Sequence, residues 1–205
     1  MIPAILLDVQ EYLQSYPLQL SQATEDGRVN SSLDEDIIVQ ILEEKFPTKI
    51  RRAKPRWWYD ILLKDHHFGW IPVNIKSTTM KTNDSAGNLA ICLWALTDEK
   101  MDLDKPYHIG KVWNLLLNKL HRREYNCSRD YFFLVINKDN TSEVCVNSVL
   151  GLSKITPNVY SFPFQICWKK NKLPKYEPID KKIMMFLKCW KDTKSNPIEL
   201  FLQRI

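Results

Sequence analysis

The chain is predicted to adopt a mixed α/β fold, in which helices flank a central β-sheet. Runs of branched and aromatic residues that suit strands alternate with amphipathic segments of helical period, and this alternation is typical of such folds. The length of 205 residues suits one core, so we expect a single domain over residues 1–205. No run of about 18 apolar residues occurs, so no membrane-spanning helix is expected.

Six helical segments are predicted from apolar spacing and end signals. They cover residues 2–15, 32–46, 88–96, 108–123, about 179–190 and about 197–204. In the second segment, Ser32-Leu-Asp-Glu35 matches a capping box, in which Glu35 reaches back to the helix start. This helix should end before Pro47, because the residue ahead of a proline disfavours helical backbone.

Five strands are predicted, and four of them form two hairpins. Residues 57–63 and 70–76 flank a turn, and residues 131–136 and 143–149 flank another. The fifth strand covers residues 162–168. Residues 77–87 are polar, and we expect them to form a loop.

Positive charge is concentrated in two runs that contain no acid. Residues 49–56 hold five cations in eight residues, and residues 168–175 hold four in eight. Such clusters supply the phosphate contacts of nucleic-acid-binding proteins, although a solvated basic face is the alternative for either run alone. Because both runs lie beside tryptophan-containing segments, they favour nucleic acid as the partner. The candidates in the first run are Arg51, Arg52, Lys54 and Arg56.

The residue types disfavour several other classes of function. The chain has 5 glycines and no glycine-rich phosphate loop, which disfavours nucleotide-driven enzymes of the P-loop or Rossmann type. Its 5 cysteines are odd in number and form no CxxC pair, so neither a zinc knuckle nor a disulfide framework is expected. Reduced thiols and a start without signal-peptide features predict a cytoplasmic protein.

The feature that carries chemistry is Asp60, followed fourteen residues later by Asn74-Ile75-Lys76. Side chains alternate faces along a strand, so Asn74 and Lys76 share one face while Ile75 can be buried. The predicted hairpin brings Asp60 across from them. Asp60, the Asn74 side chain and the Ile75 carbonyl could then hold Mg²⁺, or Mn²⁺ in its place, because these ions take oxygen ligands.

In this arrangement Lys76 can steady an attacking hydroxide or offset the charge that develops on phosphate. The set therefore predicts hydrolysis of a phosphodiester bond. The spacing alone is a weak pattern, and a surface hairpin with an ordinary Asp and Lys is the alternative.

Further residues are candidates for DNA contact. The hydroxyl groups that follow Lys76 can bond phosphate oxygens, and two polar segments can read base edges, since Asn and Lys side chains pair with adenine and guanine. A flexible surface loop is the alternative for both segments. The candidates are Ser77, Thr78 and Thr79 for phosphate, and Lys81, Asn83, Asn88, Gln165, Lys169 and Lys170 for bases.

These residues resemble the PD-(D/E)xK nuclease superfamily, and in particular its type II restriction endonucleases. Tyr59-Asp60 stands where the family has Pro-Asp, and Asn74-Ile-Lys76 stands where it has (D/E)-x-K. The resemblance implies a restriction-endonuclease-like core over about residues 32–137, with DNA-reading and accessory elements at about 78–88 and 140–205. It also implies a Mg²⁺-dependent, sequence-specific double-stranded DNA endonuclease. Such an enzyme would be a homodimer in a bacterial or archaeal cytoplasm, within a restriction–modification system.

Asn74 departs from the family pattern, because the family has a second acid at this position. Glu43 and Glu44 are the candidates to compensate, since superfamily members often place a helical Glu near the metal; Glu35 is disfavoured because the capping box explains it. The chain is then either an active enzyme with a charge-poor site or one in which Asp was replaced by Asn. Two alternatives stay open: a structure-selective repair or junction nuclease, and a non-catalytic DNA-binding protein.

Overall fold

The computed structural model describes residues 1–20, 27–55, 57–107, 109–126, 128–158 and 163–193. Its helices are α1 (Ala4–Ser15), α2 (Gly27–Lys45), α3 (Leu89–Leu96), α4 (Ile109–His121) and α5 (Ile179–Lys191). Its strands are β1 (Ile50–Arg52), β2 (Ile61–Asp65), β3 (Gly69–Thr78), β4 (Asn83–Ser85), β5 (Phe132–Asn137), β6 (Asn140–Ser148) and β7 (Gln165–Cys167). None of the helices in these ranges is long and apolar enough to cross a membrane.

Five strands form the main sheet in the order β1-β2-β3-β5-β6. Strands β1 to β3 pair antiparallel, β3 pairs parallel with β5, and β5 pairs antiparallel with β6. A parallel pair needs a long crossover connection, and α3 and α4 lie in the chain between β3 and β5. The predicted mixed α/β sheet with flanking helices is therefore confirmed.

Two apolar cores lie on opposite faces of this sheet. Alternation along β3 directs Val73 and Ile75 into the core that α1 and α2 cover. The other core contains apolar residues of α3, α4 and α5, together with Phe133 and Val135 of β5. Asn74 pairs with Phe133 and Lys76 pairs with Val135, so these polar residues lie on the second face.

A second sheet of two strands joins segments that are distant in sequence. Strand β4 pairs antiparallel with β7, with Asn83 opposite Cys167 and Ser85 opposite Gln165. The prediction of a loop over residues 77–87 is therefore wrong in part, because β3 continues to Thr78 and β4 follows. The two predicted DNA-reading segments form one structural unit.

Two predicted boundaries also need correction, and one strand was not predicted. Helix α2 begins at Gly27, so Ser32 lies inside the helix and the predicted capping box is wrong. Strand β2 begins at Ile61, because Trp58 and Tyr59 are buried in the core ahead of it. The short strand β1 was not predicted, since its residues belong to the basic run. The predicted helix at 197–204 lies outside the described residues.

Candidate active site

A tight hairpin sets the register that positions the site. The Asp65 carboxylate accepts hydrogen bonds from the backbone amides of His67 (2.8 Å) and Phe68 (3.2 Å), which fixes the turn. Gly69 follows with φ +68°, a backbone conformation that favours glycine. Because this turn is fixed, Ile61 pairs with Val73, and Asp60 lies beside Asn74-Ile75-Lys76.

The Asp60 carboxylate contacts the backbone of β3 directly. Its Oδ2 accepts a hydrogen bond of 2.7 Å from the Ile75 amide, and its own amide donates to the Val73 carbonyl at 3.0 Å. The N–H and C=O of one strand residue face the same neighbour, so the Ile75 carbonyl faces Asp60 as well. The predicted convergence of Asp60 and the β3 motif is thus present in the structure.

Burial raises the pKa of the Asp60 carboxyl to about 6. The Lys76 ammonium opposes this rise, the Glu35 carboxylate adds to it, and the hydrogen bond from Ile75 lowers it again. Asp60 is therefore mostly ionised at neutral pH, but its charge is lost in mildly acidic solution. Strongly shifted acids of this kind are frequent in functional sites.

Asn74 is buried beside Tyr131. The Tyr131 hydroxyl donates to the Trp58 carbonyl at 2.9 Å, and contact with the Asn74 side chain lowers the Tyr131 pKa against a larger rise caused by burial. Asn74 Oδ1 is buried and has no hydrogen-bond partner among the described residues. An orphaned buried oxygen is costly, so this atom is available to a ligand at the site.

Lys76 meets an acid from α2. Its Nζ lies 3.5 Å from Glu35 Oε1, and both side chains are partly exposed, at 21% and 24%. This contact adds Glu35 to the helical acids that the sequence favoured. Glu35 lies next to the site, because the helix begins earlier than predicted and no capping role holds the residue elsewhere.

Glu43 and Glu44 are engaged away from Lys76. Glu43 pairs with Arg52 at 3.2 Å, and Glu44 accepts a hydrogen bond of 3.3 Å from Gln40. Both lie near the carboxyl end of α2, whereas Glu35 lies two turns earlier. The role of Glu43 or Glu44 in supporting the metal stays a prediction, and neither residue is paired with Lys76 in this arrangement.

Asp84 was missed by the sequence reasoning. It lies on β4 opposite the buried Ile166, and its Oδ2 is buried without a hydrogen-bond partner among the described residues. Burial raises its pKa, while contact with Thr78 and the charge of Lys76 lower it. The sequence carried no signal for this residue, because Asp84 lay in a segment predicted to be a loop.

The three hydroxyl residues after Lys76 differ in placement. Ser77 is buried on the opposite face, and its hydroxyl donates to Asp34 at 3.0 Å. Thr78 is also buried, and its Oγ1 accepts a hydrogen bond of 3.2 Å from the Met80 amide. Thr79 is half-buried. The predicted phosphate contact is therefore compatible with Thr79. The Ser77 hydroxyl is instead bonded within the protein, to Asp34.

The first basic run is partly neutralised. Arg52 pairs with both Asp36 (3.1 Å) and Glu43 (3.2 Å). The Arg51 guanidinium lies 4.1 Å from the centre of the Trp70 ring. Lys54 Nζ lies 5.6 Å from the Trp57 ring, and Arg56 lies outside the described residues.

Two of the remaining DNA-contact candidates, Asn83 and Gln165, lie on the β4–β7 sheet, and Lys169 and Lys170 follow in a short 3-10 helix, Trp168–Lys170. Asn83, Lys169 and Lys170 are exposed, and Gln165 is half-buried. Lys81 is exposed too, and its ammonium pairs with Asp139 at 2.7 Å. Asn88 has a structural role, because its side chain accepts a hydrogen bond of 2.9 Å from the Ala90 amide and caps α3.

The oxygen atoms at the site fit a hard divalent cation with few protein ligands. Asp60 offers one carboxylate, and Asn74 Oδ1 and the Ile75 carbonyl offer neutral oxygens. Mg²⁺ retains several waters and needs only one or two carboxylates. The described residues contain no group of three or more His, Cys, Asp or Glu arranged to hold a metal ion, so the predicted Mg²⁺ depends on these neutral oxygens.

Comparison with known proteins assigns no family. No family model, no curated protein and no solved structure matches this chain. The functional assignment therefore depends on the residues and their geometry.

Proposed function

We propose that this chain is a Mg²⁺-dependent, sequence-specific endonuclease of double-stranded DNA. The observation that carries this proposal is the contact of the Asp60 carboxylate with the Ile75 amide, with Lys76 next in the strand. A carboxylate, a neutral oxygen pair and an ammonium converge there on one strand edge, which is the set that phosphodiester hydrolysis uses.

The topology supports the same proposal. Helix α2, the antiparallel strands β1 to β3, the helices α3 and α4, and the parallel strand β5 follow one another in the chain. This is the order expected for a restriction-endonuclease-like core. Asp60 immediately precedes β2 and Lys76 lies in β3, which is the order of the aspartate and the lysine in the PD-(D/E)xK motif.

Asp60, the Ile75 carbonyl and Asn74 would hold the cation. When bound, Mg²⁺ polarises the scissile phosphate and lowers the pKa of a coordinated water. Lys76 stabilises negative charge on the phosphate during the reaction. Glu35 orients the Lys76 ammonium, and its charge offsets in part the acid that is missing at Asn74.

The β4–β7 sheet and the short helix that follows β7 supply a surface for DNA contact, with exposed Asn83, Lys169 and Lys170. A sequence-specific enzyme of this size that cuts both strands of a palindromic site would act as a homodimer, because the two-fold symmetry of the site then matches that of the protein. We place it in the cytoplasm, where its cysteines stay reduced.

A second candidate function is DNA binding without cleavage, and Asn74 is the observation that favours it. A carboxamide brings no negative charge, so the site has fewer charged ligands than the family pattern provides. Lys76 favours cleavage instead, since a binding protein has no need of an ammonium beside Asp60.

Digestion of a long, sequenced DNA in the presence of Mg²⁺ tests the proposal, with EDTA and Asp60→Asn as controls. Discrete fragments that depend on both Mg²⁺ and Asp60 support it. Cutting confined to branched DNA would replace it with a structure-selective nuclease. A gel shift without cleavage, under varied salt and metal, would leave the DNA-binding alternative.

A further inference from the structure

A separate cavity lies at the end of the main sheet where β3 and β5 begin. Its volume is about 490 Å³, within the range of small-molecule sites. Its walls include Trp70, Phe132 and Trp94, and none of the proposed catalytic residues lines it. The cavity therefore has the size and apolar walls of a ligand site, apart from the proposed DNA-cleaving centre.

Asp130 supplies a carboxylate to this cavity. The residue is 9% exposed, and its Oδ1 accepts hydrogen bonds from the amides of Tyr131 (2.8 Å) and Leu150 (3.2 Å). Its Oδ2 has no hydrogen-bond partner among the described residues. A buried carboxylate oxygen without a donor is costly, so the site gains if a ligand supplies one.

Burial raises the pKa of the Asp130 carboxyl to about 6, against the opposing effects of Ser148, the two backbone amides and the terminal amine of Met1. The carboxyl is therefore mostly ionised at neutral pH. The Asp130 charge therefore favours a cation or a strong hydrogen-bond donor in the cavity, whereas Glu177 lies exposed at the lining and pairs with Lys175 at 3.8 Å.

Arg129 lines the cavity too, but its guanidinium donates hydrogen bonds to backbone carbonyls. It lies 4.4 Å from the centre of the Trp94 ring and donates to the carbonyls of Trp94 (3.0 Å) and Thr97 (3.0 Å). Trp94 in turn donates its indole N–H to the Asp130 carbonyl at 2.9 Å. These contacts fix the wall and give it a rigid shape.

We propose that this cavity binds a small, planar aromatic ligand that carries a cationic or N–H donor group, with Asp130 as the recognition residue. The aromatic walls accept a flat ring, and the unpartnered Asp130 oxygen receives the donor. Phe68 and Tyr176 are partly exposed at the lining, at 45% and 42%, and they leave a path for a ligand to enter. This proposal is independent of DNA cleavage.

Calorimetric titration of the full chain with benzamidine and with benzoate tests it. The two probes have similar size and flatness but opposite charge. We expect saturable 1:1 binding of benzamidine at neutral pH and at least about tenfold weaker binding of benzoate. Equal affinity for both probes, or no binding of benzamidine at millimolar concentration, would overturn the proposal.

Two variants connect the binding to Asp130. Asp130→Asn keeps an oxygen for the two backbone amides and should weaken benzamidine binding at least about tenfold, with thermal unfolding used to verify the fold. Glu177→Gln is the matched control and should change affinity by about twofold or less. If Asp130→Asn fails to fold, Phe68→Ala at the exposed lining should weaken binding severalfold. Unchanged affinity in the folded variant would contradict the proposal.

Discussion

Glu35 Oε1 lies 3.5 Å from Lys76 Nζ, although the two residues are 41 positions apart in the chain. Helix α2 thus places an acid next to the lysine of β3. The contact connects the helix that covers one face of the sheet to the proposed reaction centre on β3. Glu35 is the acid of α2 that contacts Lys76, and we propose it as the helical acid of the site.

Glu35→Gln should therefore lower the rate of DNA cleavage at least about tenfold, since the ammonium loses the group that orients it. Glu43→Gln is the matched control on the same helix, because Glu43 pairs with Arg52 instead. Single-turnover rates at saturating DNA measure both variants. Equal losses in the two variants would show that Glu35 has no special role.

Asp60→Asn should stabilise the protein at neutral pH. The pKa of Asp60 in the folded protein is about 6, above its ordinary value of 3.8. The folded state thus binds the proton more tightly, and the Asp60 contribution to stability falls as pH rises from about 4 to about 6. Asn stays neutral and still accepts from the Ile75 amide.

We expect the variant to gain on the order of 2 kcal/mol in free energy of unfolding at pH 7, and almost nothing at pH 4. Urea unfolding without divalent cations at both pH values measures the difference. A gain of the same size at both would mean that the Asp60 charge is not its source.

Ser77→Ala should affect stability and leave DNA affinity unchanged. The Ser77 hydroxyl donates to the buried Asp34, which also pairs with Lys138 at 2.6 Å. Loss of this bond should lower the free energy of unfolding by about 1–2 kcal/mol. Thr79→Ala is the comparison at a half-buried hydroxyl. Weaker DNA binding by Ser77→Ala, without loss of stability, would contradict this expectation and support the predicted contact of Ser77 with phosphate.

The double variant Lys169→Ala, Lys170→Ala should weaken DNA binding and reduce its salt dependence. Each phosphate contact contributes about 0.9 to the slope of log affinity against log salt, so the slope should fall by about 1–2. Arg52→Ala is the control, because Asp36 and Glu43 already pair with Arg52, and it should change the slope little. A larger fall of the slope in Arg52→Ala than in the double variant would indicate that DNA contacts β1 instead.

Local patterns predicted much of this fold. Helices α1, α3, α4 and α5 and both hairpins of the main sheet followed from apolar spacing and turn residues. The pairing of β4 with β7 was missed, because each strand has three residues and their partners lie about 80 positions apart, beyond the reach of local reasoning. Strand β1 was hidden in a charged run.

The candidate site was predictable in part. The spacing of Asp60 and Lys76 and the alternation along β3 were enough to place them together. Glu35 and Asp84 were missed, since their positions depend on where α2 begins and on how β4 packs. The start of α2 and the packing of β4 are not visible in local sequence patterns, from which these predictions were made.

The most direct test of the central claim is parallel digestion of one sequenced DNA by the unaltered chain, Asn74→Asp and Asp60→Asn with Mg²⁺. We predict discrete fragments from the unaltered chain, cleavage at the same sites and at least as fast from Asn74→Asp, and none from Asp60→Asn. Cleavage by Asn74→Asp alone would contradict the claim that this chain is an active nuclease. Undiminished cleavage by Asp60→Asn would contradict the site itself.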